Sequence, residues 1–480
     1  MSTRRRVGVW KRCLAGSAAV VLFAYLIILA LNGMTNMKWR RYVAELRARG
    51  EPVTIADVES RRTVLSDDEN GAGVIQGLYH KLHEVKATHA NRSTLEFVTR
   101  EPKHDFFTGF PYYEVPRIRA FVESLAGLLT DLDELRDKPC GRFSIAWNLA
   151  DPFSTDFNHL EPVRVAARLE YLATLARLLE EDLSGAAKHI EILFRVAGTL
   201  HDDPSIITRV IQLSVTDRAI RALEGALRVG EFDAETLEFF QCLVEERLET
   251  DSIRWALLGE RAMLIAFFEA VIKGTVSIQS IMNGYAATGR QGLVLAPPTL
   301  PTVVIRQNQL KAARLMTELL QASNDREPLL AAASSVSVQL RALPFVQFIT
   351  ERVFPDQSRA ILLHYKSKSR LETARSALAW ERFRLAHGTQ PESWSDLVPE
   401  FLDALPPDWL TDGVVNMRIT GHETVFYSLG ENQMDDDGEV VNQVGQGGQQ
   451  WRARDVGFRL LLPEKRGVII LDAPPPEDEE

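Results

Sequence analysis

The sequence is poor in cysteine and lacks the short motifs that commonly identify an enzyme. Only three cysteines occur in 480 residues, and no C-x-x-C pair is present for zinc. The chain has no P-loop and no nucleophile elbow. It also has no H-E-x-x-H helix, because His83-Glu84 is followed at the required position by Ala87. We therefore find no convincing catalytic set.

Positive charge is also scarce beyond residue 41, where no basic stripe appears. The net charge is −10, which argues against a nucleic-acid partner. With 45% hydrophobic and 25% charged residues the chain is typical of globular proteins, and its length allows two or three domains. Cys140 and Cys242 either form one bridge in an oxidising compartment or remain two buried thiols, and the sequence leaves both open.

One long apolar run, residues 13–33, organises the rest of the chain. No charged residue falls between Arg12 and Lys38, and about 20 such residues suffice for a helix to cross a membrane. Five positive charges precede the run, namely Arg4, Arg5, Arg6, Lys11 and Arg12. Because basic flanks stay cytoplasmic, we expect a single-pass membrane protein with its N-terminus in the cytoplasm and its bulk outside. The alternative is a cleaved signal peptide, although the exit of the run lacks an A-x-A site.

The fold class is predicted to be mainly α, with a transmembrane helix, a multi-helix body and a small C-terminal α+β module. Six segments are predicted: a cytoplasmic basic tail (1–12), the transmembrane anchor (13–33), a helical or irregular membrane-proximal region (34–160), a helical domain (161–368), the α+β module (369–472) and an acidic disordered tail (473–480). From Met37 to Arg49 the helical pattern continues the anchor outward and stops at Gly50 and Pro52.

Residues 161–273 show the clearest helical periodicity. Four helices with one apolar face each follow one another, with breaks at Asp182, at 201–204 and at Gly230. Short connections favour antiparallel neighbours, so the body is either a solenoid with a concave protein-binding surface or a plain helical bundle. Further helices are predicted over 116–136, 304–322 and 330–353, the last broken at Pro344.

The pattern of the last 110 residues changes from helix to strand. A long helix ends at Gly388, and a short helix follows through Leu397. Four strands are predicted over 414–419, 425–429, 455–462 and 467–471. This arrangement predicts one long helix laid on an antiparallel sheet.

This C-terminal stretch carries a resemblance to a known family. A helix ending in ERFRLAHG, then TQPESWSDL, LPPDW and VFYSLGENQMDDDG, resembles the globular domain of the major pseudopilin of type II secretion systems. The match covers about 100 residues. The whole chain, from LRARGEP to SLGENQMDDDG, also resembles uncharacterised single-pass bacterial envelope proteins that carry this module.

The pseudopilin resemblance implies a calcium site in the loop after the serine-leucine-glycine triplet. Carried over by position, the carbonyls of Ser428 and Leu429 are implied ligands. Asn432 stands where the family has an aspartate. The implied set is completed by later carboxylates, among Asp435, Asp436, Asp437, Glu439 and Asp455. Calcium prefers six to eight oxygen ligands, which such a loop supplies. The alternative is an acidic turn solvated by water.

Three functions follow from these observations. The first is a membrane-anchored interaction or structural component of the cell envelope, with a protein partner and no enzymatic activity. The second is a calcium-binding, pseudopilin-like component linked to secretion. The third is a metal-dependent hydrolase that uses Asp435–Asp437 or the histidine-rich segment, where His80 and His83 share a helix face and His89 follows. Solvated histidines on an amphipathic helix are the alternative for that segment.

Overall fold

The computed structural model describes residues 2–88, 109–249, 253–279, 300–440, 455–468 and 470–471. It confirms the predicted fold class, since the described chain is mainly helical with a small antiparallel sheet near its C-terminus. Two compact units are present. The first combines 1–61, 146–156 and 257–357, and the second combines 62–145, 157–256 and 358–480. Helix and sheet of the predicted C-terminal module thus belong to the same unit as the helices of 160–249.

The first unit is built almost entirely from helices. They are α1 (Ser2–Ala48), α2 (Ile55–Glu59), most of α10 (Ile253–Lys273), α11 (Thr302–Ala322), α12 (Arg326–Arg341) and α13 (Phe348–Val353), with short 3-10 turns at Pro152–Ser154 and Phe345–Gln347. Helix α11 lies at the centre, because α1, α12 and α13 all pack against it. The predicted break at Pro344 is confirmed, since the chain leaves α12 just before it.

Helix α1 contains the apolar run and continues past it without a break. It ends at Ala48, and Gly50 adopts a left-handed backbone (φ +70°), as expected of a glycine that stops a helix. Asp57 then closes a capping box with Thr54 at the start of α2. The basic residues 2–12, predicted as a tail, are part of the same helix.

The second unit holds the larger core. Its helices are α3 (Ala72–Thr88), α4 (Glu114–Ser124), α5 (Ala126–Leu132), α6 (Leu160–Leu178), α7 (Leu183–Gly198), α8 (Ile206–Val229), α9 (Ala234–Glu249), α14 (Ser358–His387) and α15 (Trp394–Leu397). The four helices predicted within 161–273 are therefore confirmed as α6 to α9, which end at Glu249. The single helix expected over 116–136 is wrong, because the chain breaks at Leu125 and finishes in a 3-10 turn at Asp133–Arg136.

Helix α14 decides between the two predicted architectures of the body. It packs against α8 and α9, although more than a hundred residues separate them in sequence. In a solenoid each repeat contacts only its neighbours in the chain. The helices of this unit therefore form a bundle closed by α14, with Trp380 of α14 buried at 1% exposure.

Three strands form the predicted antiparallel sheet. They are β2 (Asn416–Ile419), β3 (Glu423–Ser428) and β4 (Val456–Leu461), in the order β2-β3-β4 with Phe426 opposite Phe458. The sheet packs on α14, where the Trp380 and Phe426 rings lie 5.6 Å apart. The fourth predicted strand, β5 (Ile470–Leu471), does not join this sheet. It pairs in parallel with β1 (Phe110–Pro111).

The two body cysteines follow neither predicted alternative. Cys140 and Cys242 are both free and both exposed. They are therefore neither bridged nor buried. The acidic tail 473–480 and the segment 442–450 lie outside the described residues.

Candidate functional site

The acidic loop, residues 429–440, follows strand β3 and contains four residues with left-handed backbone. These are Gly430, Gln433, Asp437 and Gly438, with φ between +53° and +66°. Gly438 is also closely packed, because an added Cβ would lie 3.1 Å from the ring of Tyr427. The loop therefore turns tightly back over its own strand, which brings the acidic residues close to the start of β4.

Asp455, at the start of β4, is the buried centre of this loop. Its side chain is almost enclosed, and the residue is 3% exposed. Oδ2 accepts hydrogen bonds from the backbone N–H groups of Asp436 (3.2 Å) and Gly438 (2.9 Å). Oδ1 is buried and has no hydrogen-bond partner among the described residues. Such an orphaned oxygen is costly, because a buried carboxylate normally has all its lone pairs engaged.

The electrostatics of the loop agree with this geometry. Burial, reinforced by the negative charges of Asp436 and Asp435, raises the pKa of Asp455 to about 6, although the two N–H donors oppose the shift. Asp435 accepts a hydrogen bond from the hydroxyl of Tyr427 (3.1 Å). Burial and the adjacent Asp435 charge raise the pKa of Tyr427 to about 12. Three carboxyl groups thus share a region of negative potential.

The remaining implied ligands are divided between the loop and the core. Asn432 donates to Asp436 (3.0 Å), which fixes two of the loop side chains relative to each other. Asp437 and Glu439 are exposed. Among the described residues no group of three or more histidine, cysteine or acidic side chains has the spacing of a ready-made metal site. The implied calcium ligands therefore stay a prediction.

Asp408 is a residue that we missed in the sequence. It is buried at 3% exposure in the L-P-P-D-W turn and accepts hydrogen bonds from Ser428 Oγ (2.6 Å), Ser369 Oγ (3.2 Å) and Leu410 N (2.9 Å). Ser428, an implied ligand, therefore directs its side chain to Asp408, and only its carbonyl is a candidate for a metal. The sequence feature that could have indicated Asp408 is its position directly after the proline pair Pro406-Pro407.

A second buried polar group lies elsewhere in the same unit and was also missed. Asp203 accepts hydrogen bonds from Arg62 (2.6 Å) and lies 2.5 Å from Nε2 of His159. The ring of Phe143 stacks on His159 at 4.6 Å. Both carboxylate oxygens of Asp203 are engaged, so this group ties the segment before α6 to the segment before α8. It has the character of a structural ion pair.

The structure does not test the histidine-rich segment that the hydrolase alternative uses. His80 is exposed on α3. The side chains of His83 and Glu84, and His89 as a whole, lie outside the described residues. A metal site in this segment stays a prediction.

The other candidate site is the apolar half of α1. Among the described helices, the stretch Gly16–Ala48 of α1 is by itself long and apolar enough to cross a membrane. Its large side chains are exposed, as Val20 (68%) and Phe23 (66%) illustrate. In water this surface would be unfavourable, since monomeric soluble proteins rarely expose contiguous apolar patches.

Comparison with known proteins gives no relative from which function can be transferred. No family model matches the sequence, and no curated protein or solved structure gives a significant match. The pseudopilin resemblance therefore stays a prediction.

Proposed function

We propose that this chain is a single-pass membrane protein of the cell envelope, with its N-terminus cytoplasmic and its bulk outside. In this proposal it acts as an interaction or structural component and not as an enzyme. The observation that carries the proposal is that α1 is one uninterrupted helix with two different halves. Its apolar part exposes large side chains such as Val20 and Phe23, whereas Thr35, Tyr42 and Leu46 farther along are buried. Such a helix holds the first unit at a fixed distance from the bilayer, which suits a scaffold better than a loosely tethered domain.

The two exposed cysteines allow a direct test of this topology. In spheroplasts that express the full chain, a membrane-impermeant maleimide should label Cys140 and Cys242 before lysis. The variant Cys140→Ser/Cys242→Ser retains Cys13 and serves as the matched control, because Cys13 lies at the cytoplasmic side of the run. Labelling of the body thiols only after lysis would contradict the proposal. Cross-linking on the same spheroplasts tests the expected protein partner, and failure to capture one reproducibly would count against an interaction role.

A second candidate function is calcium binding by the acidic loop. It is supported by the orphaned Oδ1 of Asp455, buried beside Asp435 and Asp436. Calcium would supply the positive charge and the coordination that this oxygen lacks, without catalysing a reaction. The ligands would be these acids with the carbonyls of Ser428 and Leu429, and in the fuller predicted set also Asn432, Asp437 and Glu439. The described residues offer no comparable geometry in favour of a hydrolase.

Thermal unfolding of the full chain in detergent, with calcium and then with chelator, tests this function. Calcium at about 100 times its dissociation constant should add about 2.7 kcal/mol to the unit that binds it. Asp435→Ala/Asp437→Ala should abolish that gain and change the melt little in chelator. The matched control is Asp67→Ala/Asp68→Ala, which removes two exposed acids from another loop. A loss of stability that is equal in calcium and in chelator would exclude the site.

A further inference from the structure

The first unit reaches almost to the end of the apolar run of α1. The buried face of α1 begins at Thr35, which is 6% exposed and lies only two residues beyond Gly33. The same face continues through Tyr42 and Leu46, which pack with Leu310 and Ala313 of α11. If α1 crosses the membrane as proposed, the body therefore starts at the bilayer surface and has no spacer.

Side-chain contacts fix which end of the unit faces the bilayer. The Arg306 guanidinium lies 5.5 Å from the ring centre of Trp39, whereas Tyr42 OH donates to the carbonyl of Ala313 at 2.8 Å. Later residues of α1 thus meet later residues of α11, so the two helices run in the same direction. The N-terminus of α11 consequently lies at the end where α1 enters the membrane.

Helix α10 runs the opposite way and brings its C-terminus to the same end. Arg261 donates to Thr317 (3.2 Å), whereas Gln309 donates to the carbonyl of Ile265 (3.1 Å) and Arg306 pairs with Glu269. Later residues of α10 therefore contact earlier residues of α11, so the two helices are antiparallel. Lys273, the last residue of α10, is exposed at this end.

Large apolar side chains outside α1 are exposed at this end as well. Phe345 (76%) and Val346 (52%) form the turn after Pro344, and the carbonyl of Val346 accepts a hydrogen bond from Asn308 near the start of α11 (2.8 Å). Leu149 (68%) lies beside Ala150, whose carbonyl accepts a hydrogen bond from Thr275 just after α10 (2.9 Å). Their exposure would be costly in water but is favourable at a lipid interface.

We propose that this end of the first unit rests on the bilayer, with Leu149, Phe345 and Val346 in the headgroup layer. The inference rests on the proposed anchoring of α1. Trp39, which marks the level of Arg306, lies about 9 Å beyond Gly33 along a straight helix. The headgroup layer extends about 5–7 Å on each side of the hydrocarbon core, so a phenylalanine side chain near this level reaches it.

The charges at the same level fit a lipid surface better than a protein partner. Lys38, Arg40 and Arg41 of α1 are exposed at this level, as is Lys273. Apolar and aromatic side chains ringed by lysine and arginine are the usual composition of a surface that binds anionic lipid headgroups. The surface that would contact the lipid also adjoins α1. Because α1 already holds the protein at the membrane, binding of this surface costs no further loss of translational freedom.

The experiment uses the full chain with its native cysteines replaced (Cys13→Ala, Cys140→Ser, Cys242→Ser). Single substitutions Phe345→Cys and Leu149→Cys each carry an environment-sensitive fluorophore, and the protein is reconstituted into phosphatidylethanolamine–phosphatidylglycerol vesicles. Val338→Cys is the matched control. Val338 has a comparable exposure of 65% in the same unit, but its neighbour Gln339 contacts Lys311 and Glu318, farther from the membrane end of α11. Leu26→Cys reports on the anchor itself.

Emission from positions 345 and 149 should shift to the blue and be quenched by spin-labelled lipid headgroups. Emission from position 338 should stay water-like. If positions 345 and 149 are quenched no more than position 338, while position 26 is quenched by a spin label deep in the acyl chains, the surface contact is wrong and the anchor stands. If position 26 is not quenched, the anchoring fails and this inference fails with it.

Discussion

Burial and the charges of Asp436 and Asp435 oppose the negative charge of Asp455, and its two backbone donors compensate this only in part. Its raised pKa means that the folded protein holds the proton more tightly than the unfolded chain does. Its contribution to stability is therefore fully present below the unfolded pKa of 3.8 and is lost as the pH rises to about 6. At neutral pH the ionised side chain destabilises the loop unless a cation or proton compensates it.

The variant Asp455→Asn tests this account at a single residue. The amide oxygen can still accept from the N–H groups of Asp436 and Gly438, but the charge is gone. Near pH 7.5 in chelator we expect the variant to be more stable than the native chain, on the order of 1 kcal/mol after allowance for solvent screening. The difference should vanish toward about pH 4, where Asp455 is largely protonated.

Chemical denaturation across this pH range measures the effect, and Asp67→Asn provides the same change of charge at an exposed site. Calcium should reverse the order, because the native carboxylate brings a negative charge to the cation that an amide oxygen lacks. A variant that is less stable than the native chain in chelator near neutral pH would show that the ionised carboxylate is already compensated within the protein.

At the scale of elements, local patterns predicted most of the helices, because a helix is specified by residues three or four apart. Gly388, with φ +71°, ends α14 as its position predicted. What local pattern could not show is packing between distant segments. The placement of α14 against α8 and α9, and the pairing of β5 with β1, depend on contacts separated by more than a hundred residues.

The candidate site shows the same division between local and distant information. The acidic loop and its turn glycine, Gly438, were readable because they are contiguous. Asp408 was not, since its partners Ser369 and Ser428 come from α14 and β3 and meet it only in the folded protein. The central role of Asp455 was hidden for the same reason. A run of acidic residues indicates a loop, but burial in the folded protein determines which of the carboxyl groups has a raised pKa.

At the scale of the whole molecule, α1 has an apolar part proposed to lie in the membrane and a later part that packs in the first unit. Truncation at different residues should separate the contributions of these two parts. A chain that begins at residue 34 keeps the buried face of α1, whereas a chain that begins at residue 50 loses it. Burial of Tyr42 and Leu46 alone is worth about 3–6 kcal/mol, which is comparable with the stability of a typical domain. The longer chain should therefore be soluble, with the thermal stability of the full protein.

The shorter chain should unfold at a markedly lower temperature or aggregate, because Leu310 and Ala313 would lose their cover. Arg261 would remain paired with Glu51 in both chains, so the comparison measures the contacts of residues 34–49 alone, including the hydrogen bond from Tyr42 to Ala313. Thermal unfolding followed by circular dichroism, together with sedimentation, measures the outcome. Equal stability of the two chains would mean that the second half of α1 is only a connector, and the fixed spacing between bilayer and body that underlies the proposed scaffold would be lost.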